Sequence, residues 1–237
     1  MKIAVIIPAL DEGERIAETV RHVMGAEVIV ADGGSSDDTR ARAKEAGAAV
    51  LSVAGGRAAQ QNAAAAAAEA ADAFVFLHAD TQLPSGWAGA VRRTLADPAV
   101  ALGAFSLGIE SPSRSLRLVA AGANLRSRLL RRPYGDQALF LRRETFERLG
   151  GFRQLAIMED LDLVERAGQL GTVVTVPQRV QTSARRWEQV GLLRTTISNQ
   201  GMLIGRFLGI SEDRLATVYR RAAQRRRRSG SLRKRQA

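Results

Sequence analysis

The sequence predicts an α/β fold, a mostly parallel sheet flanked by helices. Three observations carry this. Short apolar runs rich in β-branched residues or phenylalanine (IAVII at 3–7, EVIVA at 27–31, AFVFL at 73–77) alternate with segments of helical spacing, the pattern of βαβ units. The runs are continuous rather than alternating, as in parallel strands covered on both faces. Each run gives way at once to polar residues, at 8–12, 32–38 and 78–80, and open α/β sheets place ligands beyond such strand ends.

Taken in order, residues 3–7 form a strand ending at Pro8, and 14–24 have helical spacing. Residues 27–31 form a second strand that runs into the Gly/Ser/Asp loop 32–39. Residues 39–46 form a helix stopped by Gly47, a residue suited to the left-handed C-cap. A third strand at 48–53, an alanine-rich helix at 58–71 and a fourth strand at 73–77 complete the first half. Beyond them, helices are expected at 87–95, 115–130 and 159–169, and strands at 101–109, 138–141 and 173–176. Two further helices are expected at 191–208 and 214–223. No long linker and no repeat interrupts the chain. The expected organisation is a single α/β domain over 1–190, a helical extension over 191–223 and a basic, disordered tail over 224–237.

A length of 237 residues suits one large domain. The absence of cysteine excludes a disulfide framework, a thiolate metal site and a cysteine nucleophile, and fits a reducing compartment. The first apolar run is too short for a signal peptide, and no window reaches the ~18 apolar residues of a spanning helix. A cytoplasmic location is therefore expected. Net charge is +11, but nine cations from Arg220 to Arg235 stand in a stretch without an acid; removing these nine leaves +2 for the rest. Such a run is either a solvated tail or an anchor for anionic surfaces. It lacks interleaved aromatics to stack on bases, so no specific nucleic acid is expected. With the apolar segment 191–208, it makes an anionic membrane face a candidate partner and a peripheral membrane location an option.

Four places carry candidate chemistry. Asp32 follows a strand and precedes Gly33 and Gly34. A carboxylate there can accept hydrogen bonds from a base or ribose, the glycines allowing close approach, although Asp-Gly is also common turn chemistry. The expectation is of a surface carboxylate with little packing. Asp80 also follows a strand directly, and Mg²⁺ typically takes one or two carboxylates plus substrate phosphates. His78 lies two residues earlier and points the same way in extended geometry; the pair also reads as a strand-ending turn. Glu159 and Asp160 open a helix, where the dipole favours an anion. Asp160 is there either an N-cap or a base, and burial beside Glu159 would raise a carboxyl's pKa. Arg185, Arg186 and Trp187 join two guanidinium groups, which bind diphosphate in forked geometry, to an aromatic face able to stack on a sugar or cation.

In order, IPALDE at 7–12, VIVADGGSSDDT at 28–39, GGRAAQQN at 55–62, FLHADTQLP at 76–84, GGF at 150–152, MEDLDL at 158–163 and ARRW at 184–187 resemble the inverting glycosyltransferases of family 2, whose fold is GT-A. LHADT, PYGDQALF, MED and TSARRW look closer still to a small bacterial subgroup associated with radical-enzyme, selenium or arsenosugar pathways. The resemblance implies that Pro8, Ala9, Glu12 and Asp32 line a nucleoside pocket and that Arg57 and Asn62 approach the nucleotide. It implies that Asp80 matches the last carboxylate of the Asp-X-Asp motif, which also serves the nucleotide. Asp160 matches the catalytic base, with Glu159 the neighbour able to take that role. Asp136 and Gln137, with Arg185, Arg186 and Trp187, are then assigned to the diphosphate or the acceptor. His78 stands where the family usually has Asp, which leaves one carboxylate for the implied Mg²⁺ or Mn²⁺.

The implied reaction is a single displacement from a nucleoside-diphosphate sugar, with UDP the commonest choice, to an acceptor the sequence does not name. Two alternatives remain. A sugar-phosphate nucleotidyltransferase would want a Gly-rich, Arg-containing loop after the first strand, where this chain has Pro8-Ala9-Leu10-Asp11-Glu12. A degenerate nucleotide-binding module would rely on the basic tail to hold nucleic acid or membrane.

Overall fold

The computed structural model describes residues 1–23, 25–185 and 187. The expected helices at 191–208 and 214–223, the basic tail, the expected boundaries at 190 and 223, and Arg186 lie outside the described residues. Two compact units are distinguished: residues 1–154 with 159–184, and a second to which 155–158, 185 and 187 belong.

The first unit holds one eight-stranded sheet in the order β3-β2-β1-β4-β7-β6-β8-β5. Its strands are β1 (Ile3–Ala9), β2 (Glu27–Asp32), β3 (Ala49–Ser52), β4 (Ala73–Phe76), β5 (Thr81–Gln82), β6 (Val100–Glu110), β7 (Leu139–Arg142) and β8 (Thr172–Ser183). β3, β2, β1 and β4 run parallel, β7 opposes β4 and β6, β8 runs parallel to β6, and β5 opposes β8. The mostly parallel sheet read from the sequence is thus present, and every residue of β1 and β4 is buried, as continuous apolar runs require.

The described helices are α1 (Ile16–His22), α2 (Thr39–Glu45), α3 (Arg57–Ala67), α4 (Trp87–Leu95), α5 (Arg114–Leu129), α6 (Arg143–Arg148) and α7 (Glu159–Leu170). In α3, alanine favours the helix intrinsically and lets it lie close against the sheet, where Ala58, Ala64 and Ala65 join the core. Four phenylalanines close that core: Phe74 and Phe76 of β4 meet Phe146 of α6 at ring-centroid distances of 5.4 and 5.3 Å, and Phe76 meets Phe152 edge-on at 4.8 Å. Such geometries suit the aromatic quadrupole.

Three elements differ from expectation. β5 (Thr81–Gln82) and α6 (RETFER) are absent from the sequence reading, because two and six residues give too little periodicity to register. β8 was expected over 173–176 but continues to Ser183. Pro177 supplies no N–H for the ladder, and a bulge absorbs it: Ala104 pairs with Thr175 while Ser106 pairs with Arg179. The Ser106 hydroxyl donates to the Val176 carbonyl across the irregularity at 2.7 Å.

Candidate active site

The ends of β1 and β2 are laced together. The Gly33 N–H donates to the Ala9 carbonyl at 2.9 Å. Gln60 reaches down from α3 and donates to the Ala9 and Ala31 carbonyls, 3.0 Å each. The Asp11 N–H donates to the Ser35 hydroxyl, the Glu12 N–H to the Thr39 hydroxyl, and the Gly13 N–H to the Asp37 carboxylate. Pro8 and Ala9 are buried within β1, in register with Ala31 and Asp32, while Glu12 is half-buried beyond it.

Asp32 corrects the expectation of a surface carboxylate. It is 0% exposed. Its carboxylate accepts the Gly34 N–H at 3.0 Å and the Ser35 N–H at 3.1 and 3.3 Å, with the Arg40 guanidinium 3.8 Å away. The side chain therefore builds its own loop, and it packs as a core residue does.

The polar segment after β4 is fixed by its backbone. The Thr19 hydroxyl donates to the Ala79 carbonyl at 2.7 Å, and the Ser183 N–H donates to the Asp80 carbonyl at 3.1 Å. His78 and Asp80 are both half-buried. Among the described residues no three His, Asp or Glu side chains form a group able to hold a metal ion. Asp80 does fit the other known arrangement, in which one carboxylate holds Mg²⁺ or Mn²⁺ and substrate phosphate oxygens complete the shell.

Asp160 meets this segment from α7. It is the second residue of the helix rather than its cap. Its Oδ2 accepts the Gly135 N–H at 2.6 Å and its Oδ1 accepts the Leu161 N–H at 2.8 Å. A Cβ placed on Gly135 would lie 2.9 Å from Asp160 Oδ2 and 3.1 Å from His78 Nε2. The two side chains thus close on the same glycine, at most about 6.0 Å apart. The turn that carries Gly135 is itself braced: Arg126 stacks over the Tyr134 ring, 3.5 Å from its centroid, and burial pushes the Tyr134 hydroxyl pKa up.

Glu159 is buried, 8% exposed, with the Arg57 guanidinium 3.6 Å away. Burial first, and the neighbouring Asp160 second, push its carboxyl pKa up, while Arg57 acts the other way. Arg57 opens α3 and is 56% exposed, so one face of the guanidinium remains open to a ligand.

Two other expected residues, Asn62 and Gln137, spend their amide groups on the scaffold. Both amide atoms of Asn62 are committed to the Phe152 backbone, Nδ2 donating to its carbonyl at 2.8 Å and Oδ1 accepting its N–H at 2.9 Å. Asn62 therefore clamps the Gly-Gly-Phe loop. Gln137 is fully buried; its Nε2 donates to the Phe105 carbonyl and the Ser127 hydroxyl, and its Oε1 accepts the Tyr134 N–H. It props the turn from within, beside half-buried Asp136. Arg185 and Trp187 are half-buried and belong to the second unit.

Three supports went unread in the sequence. Gln60 is one, a polar residue inside an alanine helix. The others are Asp162 and Arg166, which pair at 2.7 Å; Arg166 donates to the Leu149 and Gly151 carbonyls at 2.7 and 2.9 Å, and Arg153 adds a second cation to Asp162 at 3.3 Å. Their i,i+4 spacing was the available signal.

Solved structures with a similar fold include a mycobacterial protein (23% identical, TM-score 0.51, covering 77% of this chain and 65% of that one). They also include S. aureus TarS residues 1–349, in complex with UDP (15%, TM-score 0.61, 77% and 60%) and with UDP-GlcNAc (14%, TM-score 0.58, 77% and 58%). The chain spans about three fifths of the length of these structures. At such identities the likeness is one of fold, the GT-A arrangement of a mostly parallel sheet between helices. No curated protein matches the chain in sequence. The model of Glycosyl transferase family 2 matches residues 4–153, from β1 through the Gly-Gly-Phe loop. That is well over half of the sequence, and it takes in the strand ends from which Asp32, His78 and Asp80 come. The chain belongs to glycosyl transferase family 2.

Proposed function

We propose that the protein transfers a sugar from a nucleoside-diphosphate donor, a UDP-sugar first among them, to an acceptor nucleophile with inversion at the anomeric carbon. The observation that carries this reading is Asp160. Its carboxylate is oriented by two backbone N–H groups, sits outside the cap position and converges with His78 on Gly135 at the end of β4.

In this reading Asp160 takes the acceptor's proton as the acceptor attacks the anomeric carbon. The bond from that carbon to the diphosphate oxygen breaks, and its electron pair leaves with the diphosphate. One displacement inverts the centre. Arg57 presents its open face to the diphosphate while Glu159 holds it from behind. Glu12 and the buried loop built on Asp32 form the nucleoside side, with Pro8 and Ala9 contributing backbone. A bound Mg²⁺ or Mn²⁺ held by Asp80 would supply neutralising charge to the leaving diphosphate. The motifs LHADT, PYGDQALF and TSARRW support an acceptor from the pathways of the bacterial subgroup they resemble.

The test is a panel of UDP-, GDP- and dTDP-sugars with the full chain, with and without Mn²⁺, measuring melting temperature and nucleotide release. A donor at a hundredfold excess over its Kd should add about 2.7 kcal/mol of stability, and Asp80→Asn should lose the part of binding that depends on Mn²⁺. A panel in which no nucleotide sugar shifts melting or turns over overturns the reading.

A further inference from the structure

We propose that the outer face of α5 is a docking surface for an anionic membrane. The helix is buried on one side and apolar on the opposite, exposed side. Its inner side buries Leu116, Ala120, Asn124 and Ser127. Its outer side leaves Leu118 at 73%, Leu125 at 60% and Leu129 at 72% exposed. At about 100° per residue these three leucines fall within an arc of roughly 40°, a single stripe along the helix. A water-facing helix surface is ordinarily polar, and isolated exposed leucines need no explanation, but a stripe of three on one helix does.

The helix cannot turn this stripe inward. Asn124 clasps β6 with both amide atoms: its Oδ1 accepts the Leu107 N–H at 2.6 Å and its Nδ2 donates to the Leu107 carbonyl at 2.9 Å. The rotation of α5 is thereby set, and the leucines face away from the sheet.

Charge identifies the occupant. Residues 111–135 contain six arginines (114, 117, 126, 128, 131 and 132) and no acid. Arg126 stacks on Tyr134, Arg128 donates to Ser106 and Arg132 pairs with Glu165. Arg114, Arg117 and Arg131 have no ion pair among the described residues. A second copy of this face would bring cations against cations, and the basic tail carries the same sign. Nucleic acid would satisfy the arginines but not the leucines. A bilayer with anionic headgroups satisfies both, the leucines entering the acyl boundary and the arginines resting among the headgroups. At 16 residues, about 24 Å, the helix is too short to span and suited to lie in the interface.

The experiment is co-sedimentation of the full chain with vesicles of phosphatidylcholine alone or with 30% phosphatidylglycerol (~0.1 and ~0.5 M NaCl bracketing the screening range). Two variants are compared with the parent, so that the tail is constant throughout. Arg114→Gln with Arg117→Gln should lower the partition coefficient onto anionic vesicles about thirtyfold, at roughly fivefold for each cation near the surface. Leu118→Ser, Leu125→Ser and Leu129→Ser together should lower it by about tenfold or more. All five positions are exposed, so melting temperatures should be retained. Binding that is unchanged in both variants, or equal on neutral and anionic vesicles, overturns the proposal. So does a parent chain that is dimeric in solution and becomes monomeric with the leucine variant, which would make the stripe a contact between copies.

Discussion

Asp160→Asn separates chemistry from architecture, and the structure sets the size of each effect. The carboxylate accepts one N–H on each oxygen, Gly135 on Oδ2 and Leu161 on Oδ1. An amide keeps one acceptor and turns an NH₂ toward the other donor. One of the two N–H groups loses its partner, which costs about 1–3 kcal/mol when the group is shielded from water. Asparagine is therefore not the silent replacement it would be at a helix cap, and a loss of stability of that order should show in urea unfolding. Loss of a general base costs more, about 10²–10⁴-fold in rate, or roughly 3–5 kcal/mol in the barrier. The assay is nucleotide release under saturating donor, paired with calorimetric UDP binding on the same preparation. UDP affinity should stay within about threefold of the parent while turnover falls by at least a hundredfold, since the diphosphate contacts assigned above do not involve Asp160. Turnover within tenfold of the parent in a folded Asp160→Asn protein would refute its role as the base.

Three further outcomes are expected. Glu159→Gln tests the buried neighbour. A folded-state pKa raised by burial means that the stability tied to protonated Glu159 is complete below its ordinary value of 4.5 and is lost as pH rises through the raised value. The variant should match the parent near pH 4 and gain relative to it toward pH 8 in thermal melts, less whatever the half-exposed Arg57 pair contributes; a difference independent of pH contradicts this. Asp32→Ala strips the acceptor from the Gly34 and Ser35 N–H groups, so chemical denaturation should show a loss of about 1–3 kcal/mol together with weaker nucleotide binding; an unchanged unfolding midpoint would contradict the loop-building role. Gly135→Ala sets a methyl 2.9 Å from Asp160 Oδ2 and 3.1 Å from His78 Nε2. Displacing the base by such an amount should cost about a hundredfold in turnover with little change in melting temperature, and normal turnover would place the reacting atoms elsewhere.

The strands of the sheet's parallel half, though not their order, were legible because buried parallel strands leave continuous apolar runs, and IAVII, EVIVA and AFVFL are such runs. The end of β8 was not, because Pro177 reads as a stop and only the pairing with β6 shows that a bulge carries the strand past it. The same division holds at the site. Asp80 and Asp160 announce themselves by position, one just after a strand and the other at a helix start. Asp32 lies at a strand end as expected but is buried rather than on the surface, since the two N–H groups that surround its carboxylate come from backbone, which no side-chain pattern reports. Asn62 and Gln137 are polar residues whose hydrogen bonds go to carbonyls and N–H groups far along the chain. Sequence shows that such a residue is polar and leaves open whether it faces ligand or scaffold.

One contact in the sheet bears on how this scaffold can change. β6 meets β7 through a single register pair, Gly103 with Phe140, and a Cβ on Gly103 would fall 2.1 Å from the phenyl ring. On one side of this line lie β7 and the four parallel strands with the Asp32 loop; on the other lie β6, β8 and β5, and the Asp80 segment links the two, its carbonyl accepting the Ser183 N–H at the end of β8. The thickness of one aromatic ring acts as a shim between the two sides. Exchange of Phe140 for a thinner side chain, or of Gly103 for a residue with a Cβ, would alter the inclination of one side against the other without touching any residue assigned to chemistry. A change at this joint would reach the strand ends that carry the candidate site while leaving every side chain of the site as it is.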